Sequence, residues 1–488
     1  MKVVVIGGGL GGLAAALRLA ASGYSVQLFE KTESLGGKMN RLRANGYTFD
    51  TGPSLITMPF VIKDLFRYCR ADAADFIEFE PIDPLCRYFF SDGAVLDAFT
   101  QPAAMHRSMA PLCERDADQF ESFLEYSKQL YDLTADIFLF TPIHEPSETL
   151  KLKNLPMLFK LGKLDAFHTV HERVSSFFKD SRIIQLFDRY CTYNGSDPYQ
   201  APATLNIIPY VEYGLGGYYI KGGLYKLIEA LETLADSLGV DIVKNAPVEQ
   251  ILHQKHVQGI KVNGETINAD HIICNADVVT AHQTLLDSEI KYTKKLESFE
   301  PSTSGLVFFW GVRGQHQELG HHNIFFSKNY QQEFQTLSAG HAPDDPTIYV
   351  AMTSKRNKSH APDGYENWFV LLNMPFLAGQ DWPEQINRMR RVTLQKLAKH
   401  GFDIKHQIKF EQMFTPLDFY SRYGSNKGSI YGISSNDRNM AFKRPPNKSR
   451  QVKGLYFAGA STHPGGGVPL ALLSGKHAAD LLIRHSHN

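Results

Sequence analysis

The feature that most limits how this chain can fold is a run of glycines close to its start. Val3–Gly7 (VVVIG) reads as a buried strand, Leu10–Ala21 as a helix rich in Ala and Leu, and Ser25–Glu30 (SVQLFE) as a second strand. Two short apolar strands flanking one helix form a β-α-β unit with parallel pairing. Between the first strand and the helix, Gly7, Gly9 and Gly12 take the spacing G-x-G-x-x-G. Where side chains are missing at a helix N-terminus, a pyrophosphate can approach backbone N–H groups at the positive end of the helix. Glu30 closes the second strand, where a carboxylate can accept hydrogen bonds from an adenosine ribose. A tight structural turn would need only the glycines; strand, helix and terminal acid together point to a dinucleotide. Nicotinamide and flavin carriers share this fingerprint.

Composition narrows the class. The 488 residues exceed one ordinary domain, so two or three cooperating lobes are expected. Apolar residues at 43% and charged residues at 21% describe a folded globular chain. Lys plus Arg and Asp plus Glu both total 51, without the basic excess of a nucleic-acid footprint, so no nucleic-acid partner is expected. Five cysteines (Cys69, Cys86, Cys113, Cys191, Cys274) are scattered and include no C-x-x-C pair. That pattern argues against a disulfide framework or a metal site, and fits a reducing cytoplasm. Val3–Leu17 is uncharged and follows Lys2, like the core of a signal peptide, but contains five glycines and is short for a membrane span.

Along the chain, α/β character (1–57) gives way to an aromatic, helix-like stretch broken by prolines (58–205), read as an inserted helical lobe facing substrate and membrane. The α/β pattern returns over 206–290. Strand-like Gly305–Val312, Thr347–Ser354 and Asn367–Met374, with a helix near Trp382–His400, make 291–415 a sheet-bearing substrate domain. Residues 416–488 read strand, glycine turn, helix and close the first lobe. The expected fold is α/β: a Rossmann-like dinucleotide domain assembled from three stretches, a mixed-sheet substrate domain and an inserted helical lobe.

Several motifs identify the family. KTESLGGKMN after Glu30 and GYTFDTGPS (Gly46–Ser54) resemble the extension found in the flavoprotein superfamily of amine oxidases, Rab GDP dissociation inhibitors and carotenoid desaturases. Gly216–Leu231 resembles that family's glycine-pair motif, with Lys221 where Arg is common, and the tail Gly454–Asp480 resembles the closing signature of bacterial phytoene-desaturase-type enzymes. Its triple glycine and VPL are most similar to the 1-hydroxycarotenoid 3,4-desaturase branch. The resemblance implies FAD of the amine oxidase / GDP dissociation inhibitor type. It also implies cofactor contacts from Gly7, Gly9, Gly12, Glu30, Lys31, Lys38, Ser54, Leu55, Val248, Asn275, Gly459, Gly467 and Val468. His463 is placed near the isoalloxazine as the candidate catalytic residue, with cofactor orientation as the other role. The other histidines (His144, His321, His322 and those of the C-terminus) have no site-defining spacing.

The implied activity is FAD-dependent desaturation of a carotenoid, introducing the C3–C4 double bond in a 1-hydroxylated acyclic or monocyclic end group. Phytoene or diapophytoene desaturation, carotenoid isomerisation and a non-catalytic isoprenoid carrier are the alternatives. A flavin supplies the hydride acceptor, oxygen or a quinone would reoxidise it, and proton loss from a cation spread into a polyene needs only a weak base. A bilayer-stored substrate calls for peripheral membrane contact. Lys151–Leu164 combines Lys151, Lys153, Lys160 and Lys163 with Leu, Met and Phe and no acid, a composition suited to an anionic lipid surface, although an ordinary amphipathic segment would look the same.

Overall fold

The structure, a computed structural model, describes residues 1–145, 164–286 and 292–486. At its centre is a five-stranded parallel sheet. Lys2–Ile6 lies in the middle, flanked by Ser25–Phe29 and Asp241–Val243 on one side and by His271–Cys274 and Leu455–Phe457 on the other. Strands from three distant stretches therefore build one sheet, which is why the α/β pattern recurs along the chain. Val3, Val4 and Val5 are fully buried because both faces of a parallel sheet are covered.

Leu10–Ala21 and Val468–Ser486 cover one face, and they cross closely. A Cβ on Gly475 would stand 2.2 Å from the Gly11 carbonyl, so the closeness of that crossing depends on a missing side chain. An antiparallel three-stranded unit, Val248–His253, Val257–Val262 and Glu265–Asn268, stands beside the parallel sheet.

The second sheet has seven strands: Ile408–Phe414, Ser304–Arg313, Tyr365–Met374, Ile348–Ala351, His322–Phe325, Cys86–Phe89 and Val95–Ala98, in that order. The first five match the expected substrate domain. The last two fall within 58–205, so the inserted stretch is not wholly helical. Their alternation was hidden among aromatic residues, and pairing to His322–Phe325 settles them as strands. Phe79–Pro81 is a third strand there, paired with Tyr218–Ile220, and most of the remaining described residues of the stretch are helices and turns. Glu114–Phe138 runs the length of the lobe, and its Phe120 and Phe123 pack with Phe178, Phe187 and Tyr213. Val170–Phe177 starts at a capping box formed by Thr169 and Glu172. Lys151, Lys153, Lys160 and Lys163 lie outside the described residues. Among the described residues, no helix is long and apolar enough to cross a membrane. All five cysteines are free.

Candidate active site

The glycine bend is held from across the sheet. Gly7 takes φ +93°, and the Gly7 carbonyl accepts a hydrogen bond from the Asn275 amide at 3.2 Å. A Cβ at Gly12 would meet the Gly7 oxygen at 2.1 Å, and one at Gly9 would meet Asn275 Nδ2 at 2.8 Å. Gly459 also lies against Asn275, its hypothetical Cβ 3.0 Å from Oδ1. Gly7, Gly9, Gly12, Asn275 and Gly459, distant in sequence, thus form one backbone-lined hollow. The helix it opens into has no side-chain cap among the described residues, and Leu13 N–H makes the first turn's bond to the Gly9 carbonyl. An uncapped helix start bordered by glycine main chain and the Asn275 amide is a site for an anion.

Glu30 is buried at the end of its strand. Its Oε1 accepts from the Thr32 N–H and hydroxyl, both at 2.9 Å, and its Oε2 accepts from the Gly8 N–H at 2.8 Å. Oε2 retains a lone pair for a further donor. The Glu30 carbonyl accepts from Ala246 N–H at 2.9 Å, which brings the turn before Val248 to the same edge. Both lysines bond main-chain carbonyls of the protein, Lys31 at the surface and Lys38 partly buried. Lys31 Nζ donates to the Ser421 carbonyl at 3.3 Å, and burial lowers its pKa despite neighbouring Glu30. Lys38 Nζ donates to the Ser429 and Ile430 carbonyls at 3.2 and 2.6 Å. Burial lowers its pKa to about 8, opposed by the charge of Asp277. Lys221 is exposed and paired with Glu78 at 2.9 Å.

The remaining predicted residues line a cavity of about 440 Å³. Ser54, Leu55, His463, Gly467 and Val468 all border it. Val468 begins the C-terminal helix, so the helix start faces the cavity across Gly465, Gly466 and Gly467. Phe369, Leu371 and Asn373, alternate residues of one strand, supply part of the wall, as the two-residue period of a strand requires. The neighbouring Ser304–Arg313 strand supplies none of the wall. Its Leu306, Phe308, Trp310 and Val312 pack with Trp368, Val370 and Leu372 on the opposite side of the sheet.

His463 is a clamp rather than an open base. Its Nε2 donates to the Thr141 carbonyl at 2.9 Å, and His477 Nε2 donates likewise to Leu139 O at 2.9 Å. The two rings stack 5.5 Å apart, and His144 meets His463 edge-on at 5.6 Å. Burial pushes the His463 pKa well down and that of His477 to about 4, with each like-charged neighbour adding to the effect, so both rings are neutral at pH 7. They tie the tail to the end of the long helix.

Sequence reasoning missed Arg444. It is buried beside Gly465, and its Nη2 donates to the Ser435 hydroxyl at 2.9 Å and to Ile433 O at 3.3 Å. Its Nη1 has no partner among the described residues, and burial alone lowers its pKa to about 10. A buried cation with a free donor suits an anionic or strongly accepting group. Also missed was a charged group in the cavity wall, Arg189 and Glu212. The signal for it was present: charged residues within two aromatic runs, Asp188 and Arg189 in DRYCTY and Glu212 in YVEYG, where a solvated face is not expected.

The residues fit FAD. The uncapped glycine bend suits its pyrophosphate, Glu30 its adenosine ribose, and the bare Gly465–Gly467 turn with Arg444 a flat ring bearing acceptor oxygens.

Comparison with known proteins agrees. Residues 10–483 match the family model of flavin containing amine oxidoreductases. Among curated relatives, a 4,4'-diapolycopene oxygenase from Methylomonas sp. is 37% identical, with 99% of this chain and 98% of the relative covered. A 1-hydroxycarotenoid 3,4-desaturase from Flavobacterium sp. (strain P99-3) is 36% identical, with 99% of each covered. Among solved structures, an oxidoreductase from Methanosarcina mazei superposes with TM-score 0.65 at 16% identity, covering 98% of this chain and 100% of that one. Cyclohexylamine oxidase from Brevibacterium oxydans IH-35A gives 0.64 at 15% identity, covering 100% and 99%. The chain is an FAD-dependent oxidoreductase that belongs to the flavin containing amine oxidoreductase family, in its carotenoid desaturase-type group.

Proposed function

We propose that the protein oxidises the end group of a carotenoid, inserting the C3–C4 double bond beside a 1-hydroxylated end. The observation that carries this reading is the cavity: about 440 Å³, bounded by the bare glycine turn of the tail on one side and by apolar side chains over most of its wall. FAD, when bound, supplies the two-electron acceptor that no side chain offers.

The chain's own residues hold and dry the substrate. Phe369 and Leu371 from the sheet, together with Leu205, Ile208 and Val211, give a long polyene an apolar stretch of wall that asks for no hydrogen bonds. His463 positions the tail turn through its hydrogen bond to the Thr141 carbonyl and is uncharged at neutral pH. The strength of the reaction then lies in fixing one carbon pair at the glycine turn, and a weak base suffices for the proton because the adjoining polyene spreads positive charge.

Peripheral membrane contact belongs to the same reading. Phe442 borders the cavity, is 57% exposed and packs edge-on with Phe138 at 5.3 Å, while the 43% exposed Phe60 packs on Phe140 at 6.2 Å. Exposed aromatics at a cavity margin suit delivery of an apolar substrate from lipid. The electron acceptor in this reading is oxygen or a quinone.

The relatives named as oxygenases support a second reading, oxidation of a terminal carbon with gain of oxygen. Incubating the flavin-loaded protein with hydroxylated, hydrocarbon and monocyclic carotenoids and weighing the products separates them. Loss of two hydrogens with a red-shifted spectrum is the expected result. Gain of oxygen would establish the second reading, and unchanged carotenoids would refute both.

A further inference from the structure

The cavity wall is polar at one place. Arg189, Tyr193 and Glu212 from the lobe border it together with Ser54, His322 and Tyr349. The Arg189 guanidinium lies 3.8 Å from the Glu212 carboxylate, with both side chains under a tenth exposed. Glu212 accepts hydrogen bonds from the Tyr190 hydroxyl at 3.0 Å and from the Tyr193 hydroxyl. Arg189 Nη2 donates to the Tyr88 hydroxyl at 2.8 Å, and its planar head lies 4.3 Å from the centre of the Tyr190 ring. Arg189 Nε has no partner among the described residues. On the sheet side, Tyr349 shares a hydrogen bond with the Ser54 hydroxyl, and His322 Nε2 bonds the Ser54 carbonyl at 3.2 Å.

Stability does not explain this group. Burying two charges strips both of water at a cost their attraction does not always recover, and packed apolar residues of similar volume are often at least as stable. A channel meant only for hydrocarbon would gain from such a replacement. The group does suit an oxygen atom at the end of a hydrocarbon chain. A hydroxyl both donates and accepts, and the wall here offers a carboxylate to accept beside a guanidinium and phenols to donate.

We propose that Arg189, Glu212 and Tyr193, with Tyr349, form a specificity pocket that receives the hydroxyl of an oxygenated polyene end and selects it over an unsubstituted hydrocarbon end. This rests on the reading of the cavity as a polyene site. The mechanism of choice is asymmetric: a hydrocarbon end strips water from these groups and returns no hydrogen bond, whereas a hydroxyl replaces what is lost.

The test is equilibrium titration of the flavin-loaded protein with an acyclic polyene carrying a terminal tertiary hydroxyl and with its hydrocarbon counterpart of equal length, read from the polyene absorption band. Wild type is expected to bind the hydroxylated chain about 10-fold tighter or more. Glu212→Gln and Arg189→Met should bring the ratio towards one by weakening the hydroxylated ligand alone, with flavin content unchanged. Tyr193→Phe and Tyr349→Phe remove only a hydroxyl, and they carry the test if the charge variants lose flavin or fail to fold. Equal binding of the two polyenes by wild type, or equal weakening of both in the tyrosine variants, overturns the pocket while leaving the polyene reading intact. Failure of wild type to bind either polyene overturns both.

Discussion

The Asn275 amide donates a hydrogen bond to the Gly7 carbonyl at 3.2 Å, joining residues 268 positions apart at the centre of the molecule. Asn275 follows the His271–Cys274 strand and Gly7 follows the Lys2–Ile6 strand, and these strands are paired in parallel. The bend therefore depends on a side chain from the neighbouring strand as well as on its own glycines.

Asn275→Asp tests that dependence. The substitution removes the donor and sets a carboxylate against a carbonyl and beside the hollow meant for an anion. A loss of about 1–3 kcal/mol in stability is expected, measured by denaturant unfolding, together with loss of bound flavin on gel filtration. Full flavin content in the variant would contradict the role given to the hollow.

Arg444→Met separates cofactor binding from folding. Arg444 is buried, has an unpartnered Nη1 among the described residues and has its pKa lowered by burial, so an apolar replacement should leave the thermal midpoint of the flavin-free protein unchanged or raise it. The dissociation constant for FAD, measured by quenching of flavin fluorescence, is expected to rise about 10-fold, the loss of roughly one charge-assisted hydrogen bond.

The buried histidines set an acid limit. Burial lowers the pKa values of His322 and His477 to about 4 in the folded protein, below the ordinary histidine value of about 6.5 in the unfolded chain. Below pH 6.5 the unfolded state binds protons that the folded state refuses. Their contribution is therefore complete above about pH 6.5 and falls as pH drops towards 4, by about 1.4 kcal/mol per pH unit for each group. His477→Gln keeps a donor for Leu139 O but cannot titrate, so its unfolding free energy should fall less steeply between pH 6.5 and 5 than that of wild type. Parallel curves would refute this account.

Charge reversal at Lys151, Lys153, Lys160 and Lys163 addresses membrane contact. Replacing all four by Glu is expected to weaken pelleting with anionic liposomes several-fold and to leave binding to neutral liposomes unaffected. Unchanged pelleting removes this segment from the membrane reading and leaves the exposed Phe60 and Phe442 as its support.

Local pattern in the sequence was sufficient for the β-α-β start, for Glu30 at the strand end, for the Trp382–Lys399 helix and for the return of the tail as strand and helix. Each of these rests on contacts between near neighbours or on a backbone geometry that only glycine permits, and such constraints are written in consecutive residues. The family motifs named Asn275 and Gly459 as cofactor contacts, and the tertiary structure brings both against the bend. Tertiary structure alone decided that Cys86–Phe89 and Val95–Ala98 extend the second sheet, that Val307 and Phe309 pack behind Phe369 rather than border the cavity, and that His463 clasps a helix end. It also decided that Arg189 and Glu212 meet at the cavity and that Arg444 Nη1 has no partner among the described residues. These are matters of which surfaces meet and of how far water is excluded. Neither is a property of a residue's sequence neighbours, because burial and charge pairing are fixed by atoms that the chain brings together from hundreds of positions away.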